Sequence, residues 1–99
     1  LPHVMQFANF RVFHWDAAFD TLSYTNPITV DALLVSDNPR VKLAEMIHKV
    51  RFSTLIIDGT NTHYRTKAWQ QEANLLNIPY HILRQDGALV MDLLRLNKK

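Results

Sequence analysis

The sequence predicts an α/β fold: a small mixed sheet with a parallel β-α-β-α-β core, a C-terminal Asp-Gly hairpin and extra N-terminal strands. Three observations lead there. Ala32-Leu33-Leu34-Val35 and Thr54-Leu55-Ile56-Ile57 are short continuous apolar runs, the length of strands covered on both faces. Each is followed by polar residues that start helices and then by apolar residues at helical spacing. A third strand, Tyr80 to Leu83, follows the second helix, so the strands need parallel pairing through right-handed crossovers.

The elements follow in order. Between Met5 and Trp15, Phe7, Phe10, Val12 and Phe13 dominate, and Ala8-Asn9 suits a tight turn, which predicts a two-stranded hairpin. Asp16 to Pro27 carries the loop residues Asp20, Ser23, Asn26 and Pro27, with room for a weak strand over Thr21 to Tyr24. After the strand at Ala32 to Val35, Asp37 or Asn38 can cap a helix with Pro39 at its first position. Leu43, Met46, Ile47 and Val50 form that helix's buried stripe, while Arg40, Lys42, Glu45 and Lys49 face water.

The second strand, Thr54 to Ile57, stops at Asp58-Gly59-Thr60-Asn61. A helix runs from His63 or Tyr64 to Leu76 with Trp69, Ala73 and Leu76 on one face. Asn77 ends it in the left-handed conformation, and Pro79 prevents its continuation. Asp86-Gly87 signals a hairpin whose return strand is Ala88 to Asp92. The tail, Arg95 to Lys99, is expected to be frayed or solvated.

With 99 residues, 47% of them apolar, the chain can build one core, and residues 1–99 read as a single domain. Four prolines and no low-complexity tract argue against a disordered linker. No apolar run approaches the ~20 residues that span a bilayer. The absence of cysteine excludes a disulfide scaffold and a thiolate zinc site. A net charge of +2 is too small to imply nucleic-acid binding by itself. A start at Leu1 without a signal peptide suggests a fragment or a processed product.

Ligands of open α/β sheets bind at the carboxyl ends of the parallel strands. Ser36, Asp37 and Asn38 follow one strand, and Asp58, Thr60, Asn61 and His63 follow the next. This polar edge could hold a metal, a phosphate or a polar substrate; the same residue types are also what caps and turns require. His3, His14, His48, His63 and His81 show no zinc-ligand spacing. Gly59 and Gly87 are solitary turn glycines, not a phosphate loop, and Ser36 lacks the glycines of a nucleophile elbow. Trp69 has the phase of a core residue. The aromatics Phe7, Phe10, Phe13 and Trp15 could be core, cover a partner segment or stack bases. Arg65, Lys67 and Arg84 are candidate nucleic-acid contacts on a dispersed basic surface.

From Val30 to Met91 the chain resembles the C-terminal domain of the ComEC family of DNA-internalisation competence proteins. The resemblance lies in Asp31-Ala32-Leu33-Leu34-Val35-Ser36-Asp37-Asn38-Pro39, Ile56-Ile57-Asp58-Gly59-Thr60-Asn61, Trp69, Ile78-Pro79-Tyr80-His81 and Asp86-Gly87-Ala88, in that order. Many members carry a metallo-β-lactamase-like domain after the channel, and this sequence looks like a shortened second half of one. It lacks a counterpart of the His-x-His-x-Asp-His ligand motif, and Ser36-Asp37-Asn38-Pro39 stands where catalytic forms have Gly-His-His-Gly-Ser. The resemblance therefore implies no catalytic residue, no metal and no cofactor.

It implies a soluble, non-enzymatic appendage of a polytopic DNA-uptake channel in the cell (inner) membrane, exposed on the outer or periplasmic side. Its partner would be the transmembrane channel part of the same parent. The alternatives are a module binding single-stranded DNA at the channel and a metal-dependent nuclease half-domain. Oligomeric state is not legible in the sequence.

Overall fold

A computed structural model describes residues 3–18 and 27–91. Its strands are β1 (Val4–Phe7), β2 (Phe10–Trp15), β3 (Ile28–Thr29), β4 (Ala32–Val35), β5 (Val50–Arg51), β6 (Thr54–Ile57) and β7 (Tyr80–Ile82). The helices α1 (Leu43–Lys49) and α2 (His63–Leu75) separate β4 from β5 and β6 from β7. A third helical segment, α3, covers residues 87–91. The main sheet has the order β1-β2-β4-β6-β7, and β3 and β5 form a separate two-stranded ribbon. Strands β2, β4, β6 and β7 are mutually parallel, and only β1 runs against them. The α/β reading holds, with the antiparallel strand supplied by the N-terminal hairpin. Ala8 makes that hairpin's turn with φ 53°.

Strand alternation sends side chains to two apolar layers. Phe13, Trp15, Leu33, Val35, Leu55 and Ile57 meet Leu43 and Met46 of α1 and Trp69 and Ala73 of α2. On the opposite face Val12, Ala32 and Leu34 pack with Met91 of α3, bordered by Met5, Phe7 and Ile56. Cover on both faces is why the β4 segment is apolar at every position, and all four of its residues are buried. Phe13 and Trp15 are thus core, Phe7 is half-buried, and Phe10 is 47% exposed.

The first crossover helix is shorter than the sequence predicts. It begins at Leu43, and its N-cap, Lys42, provides no side-chain bond. The reason lies upstream: Asp37 and Asn38 take left-handed conformations, φ 61° and 57°, and are tied to the neighbouring loop. A cap engaged elsewhere cannot start its own helix. One residue of α2 substitutes for it, and a second holds the chain just before the helix. The Glu72 carboxylate accepts the Leu43 N–H, and the Trp69 indole N–H donates to the Val41 carbonyl at 3.0 Å. The stripe is also redistributed, since Val50 is buried from β5.

The largest correction is at Asp86-Gly87. Residues 87–91 are helical, not the return strand of a hairpin. Asp86 Oδ1 accepts the N–H groups of Ala88 (2.9 Å) and Leu89 (3.2 Å), which makes it an N-cap. No glycine among the described residues has the positive φ that a tight Asp-Gly hairpin demands. At the end of α2, Asn77 has φ 58° as expected, but Leu76 is 48% exposed and leaves the buried face to Trp69 and Ala73. The expected strand at Thr21 to Tyr24 and the tail from Arg95 to Lys99 lie outside the described residues.

Candidate functional site

The β4–β6 register sets Val35 beside Ile57, and one further step brings Ser36 beside Asp58 at the carboxyl edge. The ladder continues that far: Ser36 N–H donates to the Trp15 carbonyl at 2.9 Å and Asp58 N–H to the Val35 carbonyl at 3.2 Å. Both residues are 2% exposed. A carboxylate at such depth requires a full set of donors. Asp58 Oδ2 accepts the Ser36 hydroxyl and the Gly87 N–H, the latter at 2.8 Å. Oδ1 accepts the Thr60 hydroxyl, the Thr60 N–H at 3.0 Å and the Asn61 amide at 3.3 Å. Five donors from three loops thus converge on one side chain.

Around it the two loops are laced together. Asp37 N–H donates to Thr60 Oγ1 at 2.7 Å and Asn38 N–H to Asn61 Oδ1 at 2.8 Å. The Asn61 amide donates to the Val35 carbonyl at 2.8 Å. Asn38 Oδ1 accepts both the N–H and the hydroxyl of Thr62 at 3.0 Å. Thr62 in turn caps α2 by accepting the Arg65 N–H. Asn38 therefore supports the second helix instead of starting the first. Asp and Asn are the non-glycine residues best suited to the left-handed conformation this requires.

Glycine is needed where a third loop closes over the edge. Gly59 N–H donates to the Gln85 carbonyl at 2.9 Å. A Cβ on Gly59 would lie 2.1 Å from the Arg84 carbonyl oxygen, a backbone atom that cannot rotate away. Gly59→Ala is expected to cost about 2–3 kcal/mol by forcing the 84–87 turn outward. Urea unfolding of the variant checks this, and a loss below 0.5 kcal/mol, on the order of a neutral surface change, would contradict it.

The sequence-predicted site is only partly assembled. Ser36, Asp37, Asn38, Asp58, Thr60 and Asn61 come together, while His63 is an exposed first residue of α2 outside the network. Among the described residues no three His, Asp or Glu side chains are placed to hold a metal ion. Arg65 and Lys67 are two apart on α2, about 200° around the helix, so they do not share a face. Arg84 is exposed in the turn after β7, its backbone against Gly59. Sequence reasoning missed Gly87 as a donor to Asp58, and Glu72 as the cap of α1. A glycine directly after an Asp N-cap was the available signal for the first; the second has no local signal.

A family model, that of the ComEC C-terminal domain, matches residues 1–93. The chain belongs to the ComEC C-terminal domain family. Membership makes this ComEC domain part of a larger membrane protein of DNA uptake and ties it to competence. No curated protein and no solved structure matches the chain. Among the described residues no helix of the ComEC domain is long and apolar enough to cross a membrane.

Proposed function

We propose that this ComEC domain is a non-catalytic appendage of the DNA-uptake channel, on the outer side of the cell membrane, with an architectural or interaction role. The observation that supports it is the saturated Asp58 carboxylate. Its oxygens are occupied by Ser36, Thr60, Asn61 and Gly87, so the edge where such sheets bind ligands is closed by the domain's own loops. A residue that must activate water or hold a metal needs an open lone pair; Asp58 acts as a clasp joining β4, β6 and α3.

The test is incubation of the purified domain with single- and double-stranded DNA in magnesium or manganese. No cleavage above background is expected. Metal-dependent cleavage abolished by Asp37→Asn, an exposed position where the amide removes the charge and keeps the left-handed backbone, would overturn the reading. A parallel titration into labelled single-stranded DNA across salt concentrations addresses the DNA-binding alternative. No saturable binding is expected, because Arg65 and Lys67 lie on different faces of α2 and Arg84 belongs to a separate turn. Affinity that falls steeply with salt and weakens in Arg65→Ala or Arg84→Ala would establish a DNA contact instead.

A further inference from the structure

The opposite, amino end of the sheet carries a surface of different character. There the chain passes from α1 into β5 and from α2 into β7. A groove of about 450 Å³ opens between these turns, lined by Ile47, His48, Val50, Arg51, Phe52 and Ile78. Four of the six are apolar and two are basic. The C-terminal turn of α2, leading into Ile78, leaves Leu75 83% and Leu76 48% exposed.

Two arginines gather at this end. The Arg11 guanidinium donates to the carbonyl of Thr29, the strand partner of Arg51, which sets two arginines at the β3–β5 ribbon. Of the acids nearby, Asp31 receives the Arg11 N–H at 2.7 Å, and Glu45 lies back in the first turn of α1. Among the described residues no carboxylate lines the groove.

We propose that this end of the domain docks on a negatively charged membrane surface. Arg51 and Arg11 meet the phosphates and His48 hydrogen-bonds them, while Leu76 and the half-buried Ile47, Phe52 and Ile78 take up the apolar layer beneath them. Exposed leucines beside arginines that meet no carboxylate among the described residues are the chemistry of interfacial binding. Nucleic acid would satisfy the cations but leave the leucines in water. The parent is a membrane protein, and a tethered domain needs only weak intrinsic affinity because its local concentration is high. The inference does not depend on the domain being non-catalytic.

The experiment is flotation of the purified domain with phosphatidylcholine vesicles made with and without phosphatidylglycerol. Binding is expected only with the anionic lipid, weakening as salt rises. Arg51→Glu should lower the bound fraction about tenfold and Leu76→Ser several-fold. Lys42→Glu, the same charge change at the far end of α1, should bind like the parent. Circular dichroism confirms that each variant is folded. Absence of binding to anionic vesicles would overturn the proposal, as would an equal loss in Lys42→Glu, which would reduce the effect to net charge. A dimer in analytical ultracentrifugation that Leu76→Ser dissolves, without vesicle binding, would assign the surface to a second copy and overturn it too.

Discussion

Asp58→Ala is expected to remove about 3–5 kcal/mol of stability, a large part of what a domain of this size possesses. The substitution leaves the Ser36 hydroxyl, the Gly87 N–H, the Thr60 N–H and hydroxyl and the Asn61 amide without their common acceptor. Ser36 and Gly87 are themselves buried, so water cannot replace the carboxylate freely. Asp58→Asn should recover little, because its amide nitrogen would face donors on one side. The measurement is urea unfolding followed by circular dichroism, with the midpoint falling and the slope unchanged. An Asp58→Ala domain as stable as the parent would mean that the carboxylate is not a clasp. It would reopen the edge as a site for chemistry.

Trp69→Ala is expected to cost about 3–5 kcal/mol, the usual range for deleting a buried indole. Trp69 is 2% exposed and packs between both helices and the sheet. Its loss leaves a cavity and also frees the Val41 carbonyl that the indole N–H holds at 3.0 Å. Trp69→Phe separates the two contributions. Most of the volume stays, and about 1–2 kcal/mol should be lost with the hydrogen bond and the smaller ring. A Trp69→Ala cost below 1 kcal/mol, on the order of a surface substitution, would contradict the core assignment.

How far these features are legible without a structure depends on whether their cause is local. β4, β6, the β1–β2 hairpin and α2 follow from apolar runs, a turn at Ala8-Asn9 and the stop at Asn77, all signals within a few residues of the element. Asp86-Gly87 misleads because the same dipeptide serves a tight hairpin and a helix N-cap. What separates the two is where the following residues find apolar contacts. Met91 finds Val12, Ala32 and Leu34 beneath the sheet, and that contact favours a helix there. The start of α1 fails for a related reason: Asn38 is a good cap whose side chain is taken by Thr62, twenty-four positions away.

The polar edge shows the same division. That Ser36, Asp37, Asn38, Asp58, Thr60 and Asn61 share one edge follows from the two strand–helix junctions and the parallel pairing of β4 with β6. That Asp58 is a closed clasp does not follow, because its fifth donor, Gly87, arrives from a turn twenty-nine positions later. His63, Arg65, Lys67 and Arg84 carry the right chemistry for a site, yet helix phase turns Arg65 away from His63 and Lys67, and Arg84 sits in the turn after β7. The groove at the amino end has no motif at all. Ile47, Phe52 and Ile78 belong to three segments that only the packing of α1 and α2 against the sheet brings together.

By itself the sequence determined the main strands, the two crossover helices, their order and the parallel core, because each is encoded by spacing along the chain; the family is legible as a resemblance of ordered segments. Tertiary structure alone decided what caps α1, what covers the second face of the sheet and whether the carboxyl edge is open. Those outcomes depend on which polar group first satisfies a buried donor or acceptor, a competition among residues far apart in sequence.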